Sequence, residues 1–232
     1  MLKKAGVNRM RKRFEEELEA LNEELVKMGT IVEQAIALGT KAILEQDGKV
    51  ISLVRELEEQ TNEMEKQIES RALRIILSQQ PVARDLRLIS TALKMIRDME
   101  RIGDQALDIS EIAVHFEGKT FIKKPVHIMM MSEQAVKMVN QSVDAFVKHD
   151  IDLAQQVISA DDIIDDLFVT VRQELIDLIR DNPDNGEQAM DFMMVAKYLE
   201  RIGDHAVNIA EWVIFHRTGL YKDQKSQSIS NS

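Results

Sequence analysis

The chain contains no cysteine, which excludes disulfides and thiolate metal sites and fits a reducing compartment. Proline is nearly absent: Pro81, Pro125 and Pro183 each fall between apolar-periodic segments, not inside one. With only nine glycines in 232 residues, long stretches run without a breaker, as helical bundles require. Aromatic residues make up 4%, few for a strand-rich fold. No apolar run reaches the roughly eighteen residues that a membrane-spanning helix needs. Nor does positive charge predominate. The net charge of −10 argues against a broad nucleic-acid-binding face.

What the chain does have is helix-forming material. Leu, Ile, Ala, Glu and Lys dominate, with 13 Met, and 44% of residues are hydrophobic, enough for a buried core. The length suits one large domain or two small ones. The stretch Met1–Phe14 is basic, with Lys3, Lys4, Arg9, Arg11, Lys12 and Arg13. No apolar segment follows it, so it is not read as a secretory signal, and a cytoplasmic location is expected. It reads as a solvated helix start, with contact to acidic lipid or to a partner protein as its other use.

The periodicity predicts an all-α chain of six long helices. They cover about Asn8–Glu45, Val50–Leu77, Ala83–Phe116, Val126–Lys148, Ile151–Arg180 and Gly186–Arg217. A linker runs from Glu117 to Pro125, and the polar, Ser-rich tail 224–232 is expected to be disordered.

The chain is also an internal repeat. Glu100-Arg101-Ile102-Gly103-Asp104 recurs as Glu200-Arg201-Ile202-Gly203-Asp204, and Ala106, Ile109 and Glu111 recur as Ala206, Ile209 and Glu211. Upstream, Asp47, Glu58 and Asn62 match Asp150, Asp161 and Asp165. Short connections make neighbouring helices antiparallel. The prediction is therefore two tandem, pseudo-symmetric three-helix bundles, residues 1–118 and 119–223.

Residues four apart on a helix share a face. Glu100, Asp104, Asp108 and Glu111 thus form one stripe, bordered by the apolar Ile96, Met99, Gly103 and Ala106. In the second copy Glu200, Asp204, Asn208 and Glu211 border Ala196, Leu199, Gly203 and Ala206. Like charges four apart repel by a few tenths of a kcal/mol. A glycine inside a helix costs roughly 1 kcal/mol, but it permits close approach of another helix. The second helix of each bundle offers Glu58 and Asn62, or Asp161 and Asp165, to the same edge. Two readings of the acids stand side by side: paired carboxylates holding a hard cation, and ordinary salt-bridge packing against Arg97, Arg101 and Arg201.

Two copies of Glu-Arg-Ile-Gly-Asp, each closing a three-helix unit, resemble PhoU proteins. So do the segment Gln80-Pro81-Val82-Ala83-Arg84-Asp85-Leu86-Arg87 and the acidic positions of the second helices. The resemblance implies a cytoplasmic, non-catalytic regulator of inorganic phosphate uptake that restrains the phosphate-starvation response. Its implied partners are the ATPase subunit of a phosphate ABC transporter and a sensor histidine kinase; apolar faces left over on the bundle add a second copy of the chain as an expected partner. The acidic net charge and the lack of a spanning run leave no nucleic-acid partner and at most a peripheral association with membrane. The resemblance also implies clusters of iron or another hard cation (Mn, Mg, Ca, Zn). By position, these would be held by Glu58, Glu100, Asp104 and Asp108 in one half and by Asp161, Asp165, Glu200 and Asp204 in the other. Asn62 and Asn208 depart from this pattern.

A carboxylate-bridged metal enzyme or metal store is the alternative. Di-iron bundles use Glu-x-x-His. None of His115, His127, His149, His205 and His216 lies three residues after a glutamate. These histidines are expected on the surface or in loops. Met129, Met130, Met131 and Met138 read as core or as an adaptable partner surface.

Overall fold

A computed structural model describes residues 2–79 and 81–219, with the side chains of residues 2–10, 79 and 84 left out of account. The described residues form six α-helices: α1 Leu2–Glu45, α2 Val50–Gln79, α3 Ala83–Ile112, α4 Val126–Lys148, α5 Ile151–Asp181 and α6 Gly186–Thr218. Short 3-10 turns at Ala113–Phe116 and Pro183–Asn185 close α3 and introduce α6. The expected boundaries hold to within a few residues, save that α1 starts six residues early. Only Gly6 opposes helix in that stretch. The predicted disordered tail lies outside the described residues. Among the described residues no helix is long and apolar enough to cross a membrane.

Each turn from the first to the second helix of a repeat is built alike. Gln46 and His149, 103 positions apart, both take the left-handed conformation at φ 54° and 55°. The aspartate that follows then supplies the next turn: Asp47 Oδ1 accepts from the Lys49 amide at 3.0 Å, and Asp150 Oδ1 from the Leu153 amide at 3.0 Å. A side-chain oxygen in this position satisfies an amide that the helix start leaves unpaired.

The helices fall into two three-helix groups, α1–α3 and α4–α6, that share one continuous apolar core. Leu21, Leu25, Met28, Val32, Ile36 and Ile43 of α1 are fully buried at helical spacing, as are Ala196, Leu199, Ile202, Ala206 and Ile209 of α6. Burying a leucine or isoleucine side chain stabilises by roughly 1.5–3 kcal/mol. Met131 and Met138 belong to this core, whereas Met129 and Met130 are exposed.

The groups meet through α1 against α4 and α3 against α6, leaving α2 and α5 on the outside. A pseudo-twofold axis runs through these contacts. Thr40 and Ser132 share a buried hydrogen bond of 2.8 Å. The symmetry-related pair is Val143 and Gly29, where the valine lies 3.2 Å from the place a Cβ would occupy. One contact is polar and its mate apolar. The linker is pinned by Gln188, which accepts from the Ile122 amide and donates to Thr120 O, and by Phe121, packed edge-on to Phe116 and tilted against Phe192.

Candidate functional site

The acids named by the repeat sit where the core meets solvent. Ile96, Met99, Gly103 and Ala106 are buried, and so are Ala196, Leu199, Gly203 and Ala206. Glu100 and Glu200 flank these faces half-buried, with side chains 22% and 16% exposed. The glycines make room for side chains of the neighbouring helix. A Cβ on Gly203 would stand 3.0 Å from Ile164 Cδ1 and 3.3 Å from Asp161 Oδ1, and one on Gly103 would stand 3.3 Å from Thr61 Cγ2. The neighbouring helix thus comes close at both, as expected, and a still closer approach, to backbone, occurs at Gly39, where a Cβ would lie 2.7 Å from the Ala106 carbonyl oxygen. That approach locks α1 onto α3.

In the second repeat the carboxylates of α5 and α6 share one field. Burial pushes Asp161 up to about 6, with Asp165, Asp204, Asp162 and Glu200 adding to the rise. Burial also raises Asp204, and Glu200 reinforces it against the opposing effect of Lys197. Lys197 Nζ reaches both Glu200 oxygens, at 2.6 and 2.5 Å, and lies over the Phe168 ring. Like charges in a partly desolvated place disfavour joint ionisation.

The first repeat is arranged differently. Burial raises Glu100, with Asp104 adding to the rise and Arg101 opposing it, and Glu65 and Glu58 on α2 contribute less. Glu58 accepts a 2.5 Å hydrogen bond from Asn62. Arg101 lies 3.4 Å from Glu100 and 3.1 Å from Asp104. Glu58 and Asp104 thus act electrostatically on Glu100 in one half, and Asp165, Asp204 and Glu200 on Asp161 in the other. Asp108 is coupled to Asp104 as well. It is raised by burial, then by Glu111 and Asp104, and Arg201 of α6 opposes this across the seam. Among the described residues, no three Asp, Glu or His side chains are already arranged to enclose a cation.

The α3–α6 seam itself is polar, and nothing local in the sequence announced it. Asp98 accepts from Asn208 at 3.2 Å and pairs with His205 Nδ1 at 2.9 Å. His115 pairs with Asp191 at 2.8 Å, and Lys94 lies over the Trp212 ring. The histidines do not all lie on the surface or in loops: His216 is 4% exposed within α6, and His205 is half-buried in the seam.

The comparison with known families decides the kinship. A model of the PhoU domain matches twice, at residues 25–113 and 128–213. The chain belongs to the PhoU family. A phosphate-specific transport system accessory protein, the PhoU homolog of Clostridium acetobutylicum, is 35% identical over 214 residues, covering 92% of this chain and 98% of that one. A PhoU homolog of Aquifex aeolicus is 37% identical over 185 residues, covering 80% and 84%. The crystal structure of PhoU from Pseudomonas aeruginosa superposes with a TM-score of 0.84 at 35% identity, covering 89% of this chain and all of that one. The two PhoU-domain matches fall one on each helical group, the first beginning midway along α1, and each contains one Glu-Arg-Ile-Gly-Asp copy.

Proposed function

We propose that this chain restrains the phosphate-starvation response when phosphate is plentiful, acting as an adaptor between the ATPase subunit of a phosphate ABC transporter and a sensor histidine kinase. Its coarser part follows from kinship: the PhoU family serves the regulation of phosphate transport and is not a family of enzymes. The observation that carries the reading is the double match of the PhoU domain, at residues 25–113 and 128–213. The location is cytoplasmic and the working form a homodimer in this proposal.

The proposal includes a hard cation at the α5–α6 edge. Asp161, Asp165, Glu200 and Asp204 offer only oxygen donors, and their mutual repulsion is opposed by Lys197 and, more weakly, by His205. That donor set suits iron, Mn, Mg or Ca better than softer metals. A bound cation would neutralise the cluster and tie α5 to α6. Glu58, Glu100 and Asp104 suit a cation less well, because Asn62 stands where the other half has Asp165, leaving one carboxylate fewer, and Arg101 contacts two of the three.

Deleting the gene and following alkaline phosphatase under high phosphate tests the regulator. Derepression, reversed by the intact chain, is expected; unchanged output refutes it. Metal content of protein purified without chelator, compared with Glu200→Ala/Asp204→Ala, tests the cation. Equal content in both removes the α5–α6 site and leaves the regulator standing. Turnover of a substrate by the pure protein would favour the enzyme alternative.

A further inference from the structure

The α2–α3 turn carries the two most exposed large apolar side chains among the described residues, Leu77 and Val82, and the sequence at the start of α1 is basic. Residues 1–14 hold six of the 30 Lys and Arg and none of the 40 Asp and Glu. The remainder of the chain is correspondingly more acidic than the net −10 suggests. Charge is therefore polarised toward one end of one helix.

The geometry fixes where that end lies. Arg71 of α2 contacts Glu17 and Glu24 of α1, each at 2.8 Å. The two helices are antiparallel, so Leu77, six residues on, stands about 9 Å further along, roughly level with Phe14. Residues 2–12 of α1 continue beyond it by about 15 Å. At that same level the turn presents Leu77 at 83% exposure and Val82 at 68%, with Leu86 also exposed. Beside them Arg11, Lys12 and Arg13 are exposed. Arg11 and Lys12 pair with Glu15 and Glu16, but such exposed pairs within a helix are weak and leave the cations available. The acids Glu15 to Glu24 come only further back along α1.

Along α1 the basic residues lie outermost and the acids behind, the apolar side chains of the turn lie level with the basic ones, and the half-buried Asp85 is the one acid of the turn; that is the order of charges that a surface of anionic lipid would select. Such a surface attracts Lys and Arg close to it, and its interface accepts apolar side chains. It repels the acidic body, so only an end-on approach is favourable.

We infer that the α1 start and the α2–α3 turn dock peripherally, end-on, onto an anionic lipid surface. This inference is independent of the regulator reading, because it rests on the charge order and exposure of this one end.

Flotation of the full chain with vesicles of phosphatidylcholine, with and without about one-third phosphatidylglycerol, tests it. Binding is expected only with the anionic lipid, and it should fall as salt rises. Each cation near such a surface strengthens binding roughly five-fold, so Arg11→Gln/Lys12→Gln/Arg13→Gln should weaken it on the order of 100-fold. Leu77→Gln/Val82→Gln should weaken it further at high salt. All five positions are exposed, and thermal melting monitored by circular dichroism confirms that each variant is folded. No preference for anionic vesicles, or unchanged binding by the folded Gln variants, overturns the proposal. So does conversion of a dimer to a monomer by Leu77→Gln/Val82→Gln in a protein that ignores vesicles, which would make this end a contact between copies. Capture of an acidic protein segment without vesicle binding overturns it as well.

Discussion

Replacing Asp161 by Asn should stabilise the metal-free protein at neutral pH and leave it nearly unchanged in acid. In the folded chain the Asp161 carboxyl titrates near 6, against 3.8 for an ordinary aspartate, because it is partly buried and faced by Asp165, Asp204, Asp162 and Glu200. The folded state therefore holds a proton that the unfolded state releases, and stability falls as pH rises from about 3.8 to about 6. The gap corresponds to roughly 3 kcal/mol. Partial exposure screens it, leaving about 1–2 kcal/mol for the ionised group above pH 6. For a chain of this length that is about 2–8 °C in melting temperature. Urea and thermal unfolding of parent and Asp161→Asn at pH 4 and pH 7.5, both with chelator, measure the difference. A variant no more stable than the parent at pH 7.5, or equally stabilised at pH 4, refutes the assignment of repulsion to this cluster. Added Mn or Mg should reverse the order at pH 7.5 if the cluster holds a cation, since the ionised carboxylate then becomes an asset.

Gly39→Ala should destabilise by about 1–2 kcal/mol, because the new Cβ meets the fixed Ala106 carbonyl at 2.7 Å and overpacking outweighs alanine's helix propensity. Gly186→Ala, with nothing within 4 Å of the added carbon, should be neutral in the same denaturation assay. Thr40→Val and Ser132→Ala should each cost about 1–3 kcal/mol by orphaning the other hydroxyl, whereas the double variant should cost less than their sum. Additive losses would mean that the two hydroxyls do not depend on each other. Arg71→Ala should cost about 1 kcal/mol and speed amide exchange along residues 14–24 of α1, which Arg71 ties to α2.

The helices were legible because little interrupts them. Pro81, Pro125 and Pro183 and the Gln46-Asp47-Gly48 turn mark the breaks, and apolar periodicity does the rest. The edge-of-core placement of Glu100, Asp104, Glu200 and Asp204 also followed from spacing alone, since a helix fixes which residues share a face. What connects distant helices did not follow. Gly29 and Gly39 look alike in the sequence, yet only Gly39 meets a backbone carbonyl. The partners Asp98 with His205, and His115 with Asp191, lie on different repeats, and no local pattern pairs them. His216 could have been placed correctly: Ala206, Ile209 and Val213 precede it in phase on the buried face of α6. The unequal wiring of the two acid clusters was half visible in Asn62, but the contacts of Arg101 and Lys197 needed the fold.

The mated contacts Thr40–Ser132 and Gly29–Val143 have the form of a self-complementary interface between two like partners. In two separate chains such an interface would be made twice, identically, and would come apart on dilution. Here the linker holds the partners at an effective concentration that no dilution changes. Each mate is also encoded at its own positions. A substitution at Ser132 touches one contact and spares its counterpart at Gly29. Fusion has thus released each half from having to remain a copy of the other, and the polar–apolar difference between the two contacts is the trace of that release.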